Sequence, residues 1–201
     1  MHPLTSTPYT AKRVITMVLA LVCSGVLAAT PVTDKAEPLV PWFVPRELSL
    51  GVFINPPVTT PHFRLAWEGA IVSQPRNELI WYFGLGSGVG LGTPSPMLSH
   101  SQHVVVGGFG YRSDHPLITW GFHVAAGGAW YFTEYKPGGF YANESRPLGY
   151  IEGRLQFGFR ITPHFRILGY FGYGSPFVFN PRFPGNTFVG GINTGLVIDW
   201  R

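Results

Sequence analysis

The chain has 201 residues, 45% hydrophobic and 15% aromatic, with 26 glycines, 19 prolines and a formal net charge of +4. Charged residues are only 12%, about half of the ~25% of a soluble globular protein, which argues against a solvated globule. Beyond the N-terminal segment no apolar run reaches the roughly 18 residues of a transmembrane helix, so the hydrophobicity must follow another pattern.

The first 29 residues read as an export signal. Lys12 and Arg13 precede an apolar core over 14–27, which closes on the small residues Ala28 and Ala29. Charge, apolar core and small-residue cleavage site is the order of a secretory signal peptide. Its removal takes Lys12 and Arg13 and leaves a net charge of about +2. The remaining basic residues are scattered, nearly all arginine, and form no cluster that could track a phosphate backbone, so no nucleic-acid partner is expected. Cys23, the only cysteine, lies inside the leader behind Val22, a poor lipidation site. The mature chain is therefore expected to hold neither thiol nor disulfide. Four prolines over 30–45 remove backbone donors and predict an extended periplasmic linker.

From 46 to 201 the sequence alternates with the period of a strand. Run one, 46–55, sets Leu48, Leu50, Val52 and Ile54 against Glu47, Ser49 and Gly51. Run two, 62–73, sets Phe63, Leu65, Trp67 and Ile71 against Arg64, Ala66, Glu68 and Ala70. In run three, 78–92, Leu79, Trp81, Phe83, Leu85, Val89 and Leu91 face away from Ile80, Tyr82 and a line of glycines. Run four, 102–112, is rich in Val and Gly on both parities, and its faces stay open.

Runs five and six give the strongest signal. Over 117–135 the even positions are Ile118, Trp120, Phe122, Val124, Ala126, Gly128, Trp130 and Phe132, and the odd ones are small or polar. Over 148–162, Ile151, Leu155, Phe157, Phe159 and Ile161 alternate with Glu152, Arg154, Gln156, Gly158 and Arg160. Run seven, 165–174, sets Phe165, Ile167, Phe171 and Tyr173 against Arg166, Leu168 and Tyr170. Run eight, 187–200, sets Phe188, Ile192, Leu196, Ile198 and Trp200 against Asn193 and Asp199. The run over 117–135 exceeds the ~10 residues that a tilted strand needs to cross a bilayer. The fold class predicted is all-β: an eight-stranded antiparallel transmembrane β-barrel over 46–201.

Short joins are expected at 74–77, 113–116 and 162–163, and longer ones at 56–61, 93–101, 136–147 and 175–186. With the N-terminus periplasmic, the short joins are periplasmic turns and the longer ones outer loops. The pentapeptide Thr-Pro-His-Phe-Arg occurs at 60–64 and 162–166, at opposite ends of this barrel, and reads as a turn followed by a strand start.

The almost uncharged small-residue faces of runs three and five suit a narrow lumen better than a solvated surface. Trp81, Trp120, Phe165 and Trp200 would line one interface, and Phe63, Trp130, Phe132 and Tyr173 the other, as aromatic girdles do. The apolar faces are therefore assigned to lipid. The inward polar set becomes Glu47, Arg64, Glu68, His123, Glu152, Arg154, Arg160, Arg166 and Asp199. Acids and bases nearly match in number, as charges in a low-dielectric lumen require. This set reads as a salt-bridged plug, with a proton or ion gate around His123 and Glu152 as the alternative.

These features resemble the small eight-stranded outer-membrane β-barrel proteins of Gram-negative bacteria. The final strand resembles the signal read by the barrel-assembly machinery, although here Trp200 is penultimate and Arg201 terminal. The resemblance implies an outer-membrane location, lipid and lipopolysaccharide as surroundings, and a monomer. Some such barrels are lipid A deacylases or palmitoyltransferases, and the deacylases carry a His-x-Ser motif that this chain lacks. Ser99, His100, Ser101 and His103, with Glu134 and Glu144, are the nearest material for a His-activated serine. His100 and His103 lack a second ligand pair for a metal site, and no cofactor motif is present. The expected function is structural or interactive, exerted through outer-loop aromatics Phe140, Tyr141, Phe177, Phe179 and Phe183.

Overall fold

In a computed structural model, the described residues are 44–74, 76–93, 95–139, 141–162, 164–177 and 184–200. The leader expected over 1–29 and the linker as far as residue 43 lie outside them. Eight strands follow in order: β1 (Glu47–Asn55), β2 (Val58–Ser73), β3 (Asn77–Val89), β4 (Met97–Asp114), β5 (Ile118–Tyr135), β6 (Glu144–Thr162), β7 (Phe165–Phe177) and β8 (Gly191–Trp200). Every neighbour is antiparallel, and β8 returns to β1 to close the barrel. Closure leaves no free edge to template aggregation. Both ends of the described chain sit at the short-turn end, where Glu47 pairs with Asp199.

Alternation decides the faces. On β5, Trp120, Phe122, Val124, Trp130 and Phe132 are exposed while Thr119, His123, Ala125, Ala129 and Tyr131 are buried. The face of β4 that the sequence left open is settled by its neighbours: Val104 and Val106 point in and Val105 points out at 49% exposure. Inside, glycine and alanine leave room for tyrosines, so that Ala66, Tyr82, Val106, Ala125, Tyr131 and Tyr150 pack as one apolar cluster.

Four details differ from the sequence expectation. Proline argued for a loop over 56–61 because it withholds a ladder donor, yet β2 already starts at Val58 and Pro61 pairs with Val52. Two other long joins are also shorter than expected, since β4 starts at Met97 and β6 at Glu144, while the last is displaced, with β7 running on to Phe177 and β8 starting only at Gly191. A bulge between Ala70 and Val72 shifts the parity of β2, so Val72 rather than Ile71 takes the exposed place opposite Leu79. Finally, 187–190 are not strand: Pro184–Phe188 is a 3-10 turn, and Gly190 and Gly191 carry φ of 81° and 105°. Those left-handed values suit glycine and swing the chain into β8. Phe188 packs against Val58, Met97 and Tyr135 at the long-loop mouth, not on the exterior.

Candidate functional site

The predicted polar interior is built by the inward parity of six strands. Glu47 (β1), Arg64 and Glu68 (β2), His123 (β5), Glu152 and Arg154 (β6), Arg166 (β7) and Asp199 (β8) are all buried. Arg160 sits at the short-turn mouth with its side chain 30% exposed.

Two chains of alternating sign run through these groups. In the first, Arg64 clasps Glu152 with both guanidinium nitrogens, one at 2.9 Å, and reaches Tyr82 Oη at 3.3 Å. Arg154 lies between Glu152 at 3.5 Å and Glu47 at 3.7 Å, with its guanidinium 4.8 Å over the Tyr170 ring. Gln156 donates to Glu47 Oε2 at 3.3 Å.

The second chain starts at Glu68. Arg112 donates to Glu68 Oε2 at 2.5 Å and lies 3.4 Å from Asp199. Arg166 bridges Asp199 at 3.0 Å and Asp114 at 2.5 Å. Asp114 also pairs with Arg160 and accepts from Thr119 Oγ1 at 2.6 Å. Buried charges are tolerated only when paired and hydrogen-bonded in this way.

Arg112 and Asp114 were missing from the inward set. The Val and Gly of run four hid its parity, and the run was ended at 112. Charge was the one signal, since an arginine amid apolar strand residues suits a lumen better than an apolar exterior.

Above this network further side chains and a turn point inward. His62 Nε2 meets Tyr170 Oη at 3.0 Å and its ring stacks on Phe53 at 4.2 Å. Tyr131 and Tyr135 donate to the two oxygens of Glu144 at 2.8 and 3.1 Å. The turn before β8 folds into the mouth: Val189 is buried among the tyrosines, and Gly190 N donates to Gln102 Oε1 at 3.0 Å.

The serine and histidine cluster over 99–103 is split by strand alternation. His100 turns inward to Thr133 Oγ1 at 3.0 Å, while Ser99 donates to Glu134 at 2.9 Å. His103 Nδ1 meets Ser87 Oγ at 3.0 Å on the exterior, and Glu144 binds the tyrosines. The alternative grouping of these serines and histidines with Glu134 or Glu144 is therefore not assembled. Of the outer-loop aromatics, Tyr141 is 48% exposed and lies against the Tyr135 ring at 5.3 Å. Phe177 is half-buried at the end of β7. Phe140, Phe179 and Phe183 lie outside the described residues.

At the short-turn end a cleft of about 430 Å³ opens between Arg76, Asp114, Leu117, Arg160 and Ile161.

Eight antiparallel strands closed in a ring, with charge inside and apolar side chains outside, define the architecture of the small outer-membrane β-barrel class. No family model and no curated protein matches the chain. Among solved structures, it is similar to Ail, the attachment invasion locus protein of Yersinia pestis, at 13% identity and a TM-score of 0.43. The likeness covers 76% of this chain and 90% of that one.

Proposed function

We propose that the mature protein is an integral outer-membrane barrel, exported by a cleaved signal peptide, with a plugged lumen and a surface-interaction role exerted by its outer loops. The observation that carries this reading is the exterior. Leu50, Phe63, Phe83, Val105, Phe122, Leu155, Phe171 and Leu196, on all eight strands, are 40–64% exposed on the described barrel. So continuous an apolar belt far exceeds the few hundred Å² that a soluble monomer shows, and the lipid bilayer is the cover that suits a closed ring. Outward Trp81, Trp120 and Trp200 at one end and Phe63, Trp130 and Phe132 at the other fit the two interfaces.

The plug reading rests on the paired arginines below and the inserted turn above. Activity would then lie on the loops, where Tyr141 offers an exposed ring to lipopolysaccharide or another surface molecule. Barrel-assembly machinery would insert the chain, which would stand as a monomer. The test is fractionation with heat-modifiable gel migration. Outer-membrane recovery and a faster-running unheated band are expected, whereas recovery in the soluble periplasm would overturn the reading.

The hydrolase alternative has one supporting element, the Ser87–His103 hydrogen bond on the exterior. Its carboxylate is missing, since Glu134 is bonded to Ser99 instead. An altered lipid A acyl pattern on expression, lost in Ser87→Ala, would favour it, and an unchanged pattern would remove it.

A further inference from the structure

The two charge chains of the lumen meet at their carboxylate ends. Glu47 closes the first and Glu68 the second, and His123 Nε2 stands 3.9 Å from Glu68 Oε1. One ligand-capable atom from each of Glu47, Glu68 and His123 lies within 4.8 Å of the others. Two acids brought together in a dry interior repel each other unless a positive charge is placed between them.

The hydrogen bonds around this point are lopsided in a telling way. Gln156 takes one oxygen of Glu47 and Arg112 one oxygen of Glu68. The remaining Oε1 of each has no hydrogen-bond partner, and neither ring nitrogen of His123 has one, although the residue is only 2% exposed. Arg154 faces Glu47 Oε1 only at 3.7 Å, and a buried imidazole and two carboxylate oxygens without hydrogen bonds are costly to leave so. Gly110 makes the arrangement possible, because a Cβ there would lie 2.3 Å from His123 Cδ2.

We propose that Glu47, Glu68 and His123 form a binding site for a divalent transition-metal cation inside the barrel. One imidazole nitrogen with two carboxylate oxygens is a donor set for Zn²⁺-like ions rather than Ca²⁺ or Mg²⁺, which take oxygen alone. Metal–ligand bonds of about 2.0–2.2 Å require the three groups to close on one another by about 1 Å, within the reach of Glu and His rotamers. The ion neutralises both acids, and water completes the shell. Gln156 and Arg112 act as the outer partners that orient the two carboxylates. The metal would be captured as the strands close, since the lumen is filled above and below.

The test uses the full chain without an affinity tag, folded in detergent with Zn²⁺ and dialysed against metal-free buffer. Mass spectrometry of the metal should find about one zinc per folded chain. Retention should fall more than about tenfold in His123→Ala or Glu68→Gln, and by about tenfold in Gln156→Ala, the range for orienting partners. His115→Ala and His164→Ala, at exposed turn positions, should leave it unchanged. Folded wild type that retains no zinc overturns the site. So does retention that survives His123→Ala. Should that variant fail to fold, X-ray absorption on the wild type decides instead: one imidazole with oxygen ligands supports the site, and two or more imidazoles contradict it.

Discussion

Arg112 faces three carboxylates, Glu68 at 2.5 Å, Asp199 at 3.4 Å and Glu78 at 4.0 Å. Removing it leaves Glu68 and Asp199 buried beside too little positive charge. Breaking a buried pair on one side costs about 3–5 kcal/mol, so Arg112→Ala should lower unfolding stability by that order in urea titrations of the folded barrel. Arg160 is 30% exposed at the mouth, where solvent screens it, and Arg160→Ala should cost no more than about 1 kcal/mol. Equal losses for the two would contradict the burial gradient along the lumen. The residue scale is also where sequence reading was weakest. Glu47, Arg64, Glu68 and Arg154 each stand opposite apolar neighbours on strands with clear parity. Arg112 sits on a run where Val occupies both parities, so parity leaves its direction open; its burial and its bond to Glu68 place it inward.

At the scale of elements, period-two alternation located every strand, because a wall with lipid-like and lumen-like faces admits no other pattern. What it could not locate were places where the backbone changes parity or withholds a donor. The bulge at 70–72 is one, and Pro61 inside β2 is another. The repeated pentapeptide shows the limit well. His62 is buried against Tyr170 in mid-strand, whereas His164 is exposed at the turn into β7. In both copies, however, the Phe points outward and the Arg inward.

The turn before β8 is a second element hidden from the pattern, since Phe188 and Val189 continue an apolar run but pack inside the mouth. Replacing 184–189 by a short Gly/Ser linker removes contacts with Tyr131, Tyr135 and Leu148 while leaving β7–β8 pairing intact. The barrel should keep its heat-modifiable shift and lose a few kcal/mol of stability. On the proposed plug reading, planar-bilayer conductance should stay at baseline in this variant, with the arginine–carboxylate network blocking the lower lumen. Opening of a steady channel would show that the inserted turn alone is the plug.

For the whole molecule, the proposed placement has the apolar exterior meeting lipid and the buried charges of the lumen shielded from both lipid and bulk water. The barrel has no natural cysteine, as the only one is Cys23, so single cysteines can report each face. Spin labels at Phe122→Cys and Leu155→Cys, outward on β5 and β6, are compared with Ala125→Cys and Thr119→Cys, inward on β5, in protein folded into bilayers. The outward labels should be relaxed by oxygen dissolved in the lipid and ignored by a water-soluble nickel chelate, while the inward labels should be shielded from both. Strong relaxation of the outward labels by the aqueous chelate would mean that this face is solvated, and the membrane barrel would be wrong.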